Sequence, residues 1–502
     1  MAEEAQRETV AFLSDPKTHG GAKVDTITTH ASMIFMAGDR VLKLKRAVKY
    51  SYLDFSTVAL RRKSCEEELR LNRRTAPNLY LDVKPITRTA GGMALGGEGE
   101  AVDWVVVMKR FPQEALFSHL ADSGELTPNL MRRLADNVAA FHRDAEVTPD
   151  FGGIEGIEEV IRINDENLRR DGPPDISTAE AEALTAAARK TAGDCAALLE
   201  QRRNAGKIRR CHGDLHLRNI CLIDGTPTLF DCIEFNPSLA AIDVLYDLAF
   251  LLMDLLHRGD TTEAAIVFNR YLDVGDESDG IASTPLFLAL RAWVRAHVTA
   301  TAAKSGAGDA SEARRYFDLA CAFLKPQPPR LLAVGGLSGT GKSTIAAVLA
   351  GRLGRAPSRV LRSDVIRKRQ FGVAPEQRLP AEAYSKDATE RVYARLESEA
   401  KAAIDAQCSV IIDAVSAKPE ERAAFAALAT KLRVPFDGIW LEASPEVLKQ
   451  RIAVRKNDAS DADVAVLEKQ LSYDLGQMDW HRIDASSTPG AVAEAALTAI
   501  SR

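Results

Sequence analysis

No C-x-x-C pair occurs anywhere in the 502 residues. The seven cysteines are scattered and odd in number. They exclude a disulfide framework and a cysteine-ligated zinc site, and they point to a reducing compartment. Basic charge is not in excess either, the formal net charge being −5. That excludes a general electrostatic grip on nucleic acid, so nucleic acid is not expected as a partner. The opening stretch, MAEEAQRETV, has neither the basic n-region nor the apolar core of a secretory leader. The most apolar helical stretch, Val244 to Leu256, is interrupted by Asp247 and Asp254 and is too short to span a bilayer. A cytoplasmic location without membrane partners is the expectation. No internal repeat and no low-complexity tract stands out, which excludes solenoid and linker-like classes.

What is present fits a globular chain: 46% hydrophobic and 27% charged residues, ample for sizeable cores. The length exceeds one ordinary domain, and about 150 residues per domain gives about three lobes. The proline-rich run Lys325-Pro326-Gln327-Pro328-Pro329-Arg330 resists helix and reads as a spacer. It divides the chain into 1–325, a linker at 326–330, and 331–502, with a first lobe to about 110 and a second over about 111–325.

Ahead of the linker, Ala31 to Ala37 and Arg40 to Ala47 predict a hairpin around Gly38-Asp39. A helix is expected over Ser56 to Arg74, capped by Ser56. Tyr80 to Pro85 and Ala101 to Lys109 read as strands around the glycine-rich turn Gly91 to Gly99. The helix Asn129 to Arg143 should bury Leu130, Leu134, Val138 and Phe141. One long helix is expected from Ser177 to about Arg203, then a strand–loop–strand unit over Arg210 to Phe235, then helices to about Leu324. Behind the linker, apolar strands Leu331–Val334, Val360–Leu361, Val410–Ile412 and Phe436–Leu441 alternate with helices. That alternation predicts a doubly wound parallel α/β sheet.

The second half carries Gly336-Leu337-Ser338-Gly339-Thr340-Gly341-Lys342-Ser343, with Thr344 opening the helix to Leu353. The spacing G-x-x-x-x-G-K-S is that of a P-loop. Its glycines let the backbone turn its N–H groups toward phosphates, and the helix N-terminus adds partial positive charge. Lys342 would reach the terminal phosphates, and the Ser343 hydroxyl would ligate magnesium. ATP with Mg2+ is the expected cofactor. Three features favour a kinase. Asp364 would orient or deprotonate an acceptor hydroxyl, although it also fits an N-cap for Val365 to Arg369. Arg367, one turn on, would bind an acceptor anion. Asp413 ends an apolar strand, where a second magnesium-site carboxylate belongs. Arg451 and Arg455, at i and i+4, would close a lid with the following Asp458-Ala459-Ser460-Asp461-Ala462; a solvated basic face fits the same pattern. This half resembles the AAA-type P-loop small-molecule kinases, in the manner of gluconate, shikimate and adenylate-type enzymes. Zeta-toxin-like and polynucleotide kinases share the outline, so the resemblance leaves the acceptor open.

The first half carries His212-Gly213-Asp214-Leu215-His216-Leu217-Arg218-Asn219, and Asp231 twelve residues later. This is the catalytic-loop spacing of kinase-like phosphotransferases. Asp214 would position the acceptor hydroxyl, Asn219 and Asp231 would hold magnesium, and His212 would pack to support the loop. The motif resembles the aminoglycoside phosphotransferase and choline kinase branch of the kinase-like fold. So do Phe141-His142 and the run Ile242-Asp243 to Tyr246-Asp247-Leu248-Ala249. The resemblance implies a two-lobed α+β domain needing a strand lysine and a helix glutamate. Lys43 and Lys45 share one face of their strand, and Glu66, Glu67 and Glu68 are the partner candidates, Lys43 with Glu68 being favoured. No G-x-G-x-x-G precedes that strand; Thr28 to Met33 stands nearest. Asp243, Asp247 and Asp254 would face a cationic substrate or simply solvate a helix. Cys211, Cys221 and Cys232 read as small apolar fillers.

The leading expectation is a bifunctional ATP-dependent phosphotransferase acting on small hydroxylated metabolites. Two rivals remain: one catalytic half with the other as an ATP-binding regulator or substrate module, or nucleic-acid or nucleotide kinase activity in the P-loop half. Oligomeric state is not legible.

Overall fold

Short runs of β-branched and apolar residues separated by turns open the chain, and they pair as strands. The computed structural model describes residues 6–50, 53–304, 306, 309–455 and 458–500. They pack as two compact units: Met1–Glu159 with Leu199–Asp254, and Val160–Leu198 with Leu255–Arg502.

In the first unit, α1 (Arg7–Ser14) precedes β1 (Val24–Thr28), β2 (Ser32–Ala37) and β3 (Arg40–Lys45). Then come α2 (Val58–Asn72), β4 (Tyr80–Thr89), β5 (Gly92–Leu95) and β6 (Glu100–Lys109). The six strands form an antiparallel sheet in the order β1-β2-β3-β6-β4-β5. Strand alternation sorts β3: Leu42 and Leu44 join a core with Leu13, Phe35, Ile86, Val105 and Val107, while Lys43 and Lys45 take the opposite face. There Val106 and Met108 meet Cys65 of α2. Three expectations change. Thr57, not Ser56, caps α2, its hydroxyl accepting the Leu60 N–H at 3.2 Å. The glycine-rich turn contains β5, and β1 was not foreseen.

The helix α3 (Pro128–Asp144) buries Met131, Leu134, Ala135, Val138, Ala139 and His142; Leu130 and Phe141 are only half-buried. The expected long helix is two, Thr178–Asp194 and Ala196–Asn204, broken at Cys195. Next come β7 (Ile208–Arg210), the hairpin β8 (Ile220–Ile223) and β9 (Thr226–Leu229), β10 (Ala241–Asp243) paired with β7, and α4 (Val244–Arg258).

In the second unit, α5 (Thr261–Gly275), α6 (Thr284–Lys304) and α7 (Ala310–Phe323) are followed by 326–330, which carry no regular structure. The parallel sheet is built from β11 (Leu331–Gly336), β12 (Arg359–Arg362), β13 (Val410–Asp413), β14 (Phe436–Glu442) and β15 (His481–Asp484). Its order, β12-β13-β11-β14-β15, reverses direction at β11, so the crevice beyond that strand's carboxyl end is the natural ligand position. The helices around it include α8 (Lys342–Ala350), α9 (Ser363–Gln370), α10 (Lys386–Asp405), α11 (Pro445–Val454), α12 (Val464–Leu471) and α13 (Pro489–Ile500), with a further helix over Pro419–Leu432. The edge strand β12 is covered by α5. Asn269 accepts the Val360 N–H at 2.7 Å and donates to the Ser358 carbonyl at 3.0 Å, as a neighbouring strand would. Among the described residues, no helix is long and apolar enough to cross a membrane.

Candidate nucleotide sites

In the first unit, strand pairing of β3 with β6 and packing against α2 carry Lys43 inward. Its Nζ lies 2.8 Å from Glu68 Oε1 and also donates to Asp231. Of the three glutamates weighed, Glu68 is the one reached; Glu66 and Glu67 pair with Arg62 and Arg70 on the exposed side. Burial opposes the Lys43 ammonium, but Asp231 and Glu68 outweigh it and hold its pKa well above the ordinary lysine value. Lys45 corrects an expectation. It is 2% exposed, and its Nζ lies 2.5 Å from both Glu68 Oε2 and Glu234 Oε1, so it is not disposed to touch a cofactor.

Asp231 sits at φ 62°, a left-handed conformation that aspartate tolerates better than most residues. Strain of this kind gathers at functional sites. Three residues the sequence reading missed hold the segment. The Asp231 N–H donates to the Tyr80 hydroxyl at 3.1 Å, the Cys232 N–H to Asn72 Oδ1 at 2.9 Å, and the Thr75 hydroxyl to the Leu229 carbonyl at 2.8 Å. Their signal was weak: each partner lies over 150 residues away in sequence.

The catalytic-type loop is held from beneath. Asp247 accepts the N–H groups of His212 at 3.0 Å and Gly213 at 2.8 Å, and pairs with His142 Nε2 at 3.0 Å. Asp254 accepts the Leu217 N–H at 3.0 Å, and Asp243 forms a forked pair with Arg202 at 2.7 and 2.8 Å. The three aspartates are buried, so neither solvation nor a cationic substrate explains them. Gly213 sits at φ 84°, where an added Cβ would crowd Ala240, Ile233 and the Leu239 carbonyl at 3.1 Å. His212 is fully buried, which lowers its pKa and keeps it neutral; Nε2 meets the Phe230 carbonyl at 2.9 Å and Nδ1 the Asp214 N–H at 3.3 Å. Asn219 Nδ2 bonds both the Asp214 carbonyl and carboxylate at 2.9 Å. Asn219 and Asp231 thus offer an amide and a carboxylate, oxygen donors suited to a hard divalent cation. Cys211, Cys221 and Cys232 are buried, and burial pushes the thiols of Cys221 and Cys232 up to about 12.

In the second unit, Gly336 leaves β11 at φ 141°, where a Cβ would meet the Leu441 carbonyl at 2.6 Å. Only a glycine lets the loop turn there. Lys342 Nζ donates to the Leu337 carbonyl at 3.1 Å, curled back over its own loop. Burial lowers its pKa, Arg455 and Arg362 add to that, and Asp413 and Asp364 oppose it. The Ser343 hydroxyl lies 2.6 Å from Asp413 Oδ2, so both oxygens fit one hard cation. The Thr340 hydroxyl closes the turn on the Leu337 carbonyl at 2.8 Å, while Gly339 and Gly341 take φ 87° and 89° and Thr344 opens the exposed side of α8. One expectation is corrected: the Ser338 N–H donates to Gln470 Oε1 at 2.8 Å and is not aimed at phosphate.

Asp364 lies in the first turn of α9 but does not cap it, Arg362 being the N-cap. Burial raises its pKa, against the pull of Arg362. Arg367 is committed elsewhere, donating to the Ala383 carbonyl at 2.7 Å and lying over the Tyr384 ring. The arginine pair does not share a helix face. Helix α11 ends at Val454, and Arg455 takes an extended conformation and donates to the Ala462 carbonyl. Arg451 instead donates to the Ala485 carbonyl at 2.8 Å. The cation missed from sequence is Arg362, 3.3 Å from Asp413 and 3.1 Å from Asp458.

Residues 40–283 match the model of the phosphotransferase enzyme family, and residues 331–473 that of an AAA domain. The chain joins a kinase-like phosphotransferase domain to a P-loop kinase-like domain. It is similar to an uncharacterized protein of Mycobacterium tuberculosis, 28% identical over 473 residues and 92% of each chain. Among solved structures it is similar to an amicoumacin kinase in complex with AMP-PNP and Ca2+ (15% identity, 64% of this chain and 94% of that one, TM-score 0.41). A gluconokinase from Sinorhizobium meliloti is similar to it at 20% identity, over 35% of this chain and 94% of that one, with TM-score 0.27. The two family matches support phosphotransferase activity and nucleotide binding at the P-loop. The family matches and the packing units divide the chain at different points.

Proposed function

We propose that the chain is a cytoplasmic, bifunctional ATP- and magnesium-dependent phosphotransferase, each domain passing a γ-phosphoryl group to a hydroxyl of a small metabolite. The observation that carries this is the double convergence: Lys43, Glu68 and Asp231 meet in one unit, and Ser343 and Asp413 beside Lys342 meet in the other. In the first site, Asp214 would accept the hydrogen bond of the acceptor hydroxyl and aim it in line, and Asn219 and Asp231 would hold magnesium. In the second, Lys342 would draw charge from the transferring group, Ser343 and Asp413 would hold magnesium, and Asp364 would take the acceptor proton. Its raised pKa makes it a stronger base than an ordinary aspartate. Arg455 supports the same site from its loop; Arg451 is better read as bracing β15. Bound magnesium would neutralise phosphate charge in both sites.

A screen of sugars, amino alcohols and nucleosides for acceptor-dependent ADP release, on wild type, Asp214→Ala and Lys342→Ala, tests the reading. It fails if both variants keep every activity. A second reading is favoured by one observation: Lys43 is already neutralised by two carboxylates, and the β1–β2 turn, Thr29 to Ala31, contains no glycine. On that reading the first unit binds ATP without turning it over. The screen separates the two, because Asp214→Ala would then alter no turnover.

A further inference from the structure

Strand β12 ends on Arg362, and parallel pairing sets that residue directly beside Asp413 at the end of β13. A cation there works against the carboxylate that, with Ser343, would hold magnesium, so the metal does not call for it. Asp413, Asp458 and Asp364 all act on the guanidinium and outweigh the cost of burying it. Only one edge of it is fixed. Nη2 donates to Asp458 Oδ1 at 3.1 Å, and the same oxygen accepts the Ser460 N–H at 2.9 Å. Nε lies 3.3 Å from Asp413 Oδ2, yet it is buried and makes no hydrogen bond among the described residues. A buried N–H without a partner is costly and needs a reason. Lys342, Asp364 and Asp413 lie within electrostatic reach of one another and of Arg362. Of the two arginines expected here from spacing, Arg451 is turned to the Ala485 carbonyl at 2.8 Å.

We propose that Arg362 is a catalytic residue of the second site that meets the γ-phosphoryl group of a bound nucleoside triphosphate, and that Asp458 positions it. The inference rests on the reading of the P-loop as a nucleotide site, and it names the group there that tells a triphosphate from a diphosphate. The N–H groups at the start of α8 take the inner phosphates, so the γ-phosphoryl belongs farther out, toward the carboxyl ends of β12 and β13. Asp413 marks the metal side of that space and Asp364 the acceptor side, and Arg362 reaches both. A guanidinium has five N–H donors, so Arg362 binds phosphate oxygen while Nη2 stays on Asp458, and no ion pair has to be given up. In the transfer, the acceptor oxygen bonds the γ-phosphorus as the bond to the β,γ-bridging oxygen breaks. ADP leaves, Asp364 takes the acceptor proton, and Arg362 keeps its own protons while it stabilises charge on the non-bridging oxygens.

The test uses the full chain carrying Lys43→Met and Asp231→Asn, so that the first site contributes little. Calorimetry measures binding of ADP and of the β,γ-imido analogue of ATP, each with Mg2+, and thermal melting is followed in parallel. Arg362→Gln is expected to weaken the analogue about ten-fold and to leave ADP within about two-fold of the parent. Asp458→Ala should lower the preference for the analogue over ADP about two- to three-fold, and Asp458→Asn, which keeps an acceptor oxygen, by less than about two-fold. Lys342→Ala should weaken both ligands. If Lys342→Ala does so and Arg362→Gln weakens ADP and the analogue equally, or neither, the role of Arg362 is overturned and the nucleotide site stands. If Lys342→Ala changes neither ligand, the P-loop reading itself falls. If Arg362→Gln fails to fold, Asp458→Ala decides: an unchanged preference overturns the proposal.

Discussion

Lys43 and Lys342 are the two lysines expected to meet phosphate, and the protein prepares them in opposite ways. Lys43 is saturated with carboxylates, and its pKa is raised. Lys342 donates to a backbone carbonyl of its own loop, and burial lowers its pKa. On the proposed reading the first site admits a nucleotide and its metal by giving up the Lys43–Asp231 pair. The second is a backbone cradle whose cation, among the described residues, has no carboxylate to leave at hydrogen-bond distance. Glycine geometry shapes the second; long-range acidic and aromatic partners shape the first.

The comparison breaks most sharply at catalysis. Asp214→Asn should lower kcat of the first site about a thousand-fold with the second site's activity unchanged, read as acceptor-dependent ADP release. Next in size is the contrast between lysines. Lys342→Ala should weaken nucleotide binding about a hundred-fold, more than Lys43→Met does in its own site, because breaking existing ion pairs offsets part of what Lys43 contributes. Equal losses would remove the distinction. Asp247→Asn should destabilise the first unit by about 1–3 kcal/mol and lower kcat of its site, because one buried carboxylate holds two loop N–H groups and His142. Chemical denaturation followed by circular dichroism checks it.

The smallest effect lies in the second unit. Burial lowers the pKa of His297 to about 4 from 6.5. Between those values the unfolded chain binds a proton that the folded chain refuses. The stability from this group is complete above pH 6.5 and declines as pH falls toward 4. The slope is about 1.4 kcal/mol per pH unit at most. His297→Gln should flatten the dependence of the denaturation midpoint between pH 7 and 5. An unchanged slope would show that other groups set it.

How much of this was legible in sequence follows the same division. The P-loop is a local motif, and Gly336, Lys342, Ser343 and Asp413 fall where their spacing and the strand ends put them. His212, Asp214, Asn219 and Asp231 are likewise readable, and strand periodicity puts Lys43 and Lys45 on one face. What joins residues far apart was not. Glu234 meets Lys45 across 189 positions, and Tyr80 meets Asp231 across 151. Asp247 was noticed, as part of a family-like run and as a substrate-facing or helix-solvating charge, but its hold on the loop was not, because sequence shows the helix and not the loop packed against it. The Arg451–Arg455 spacing misled because α11 stops one residue short of Arg455. Strand β15 was missed because, of its four residues, only Ile483 is buried.

The central claim is that one chain holds two nucleotide sites built on different principles. Equilibrium dialysis of the full chain with a non-hydrolysable ATP analogue and Mg2+ tests it most directly. The account predicts two molecules bound per chain, one of them held about a hundred-fold more weakly in Lys342→Ala and the other held more weakly, by a smaller factor, in Lys43→Met. A single molecule per chain in the wild type, lost entirely in either variant, would contradict it.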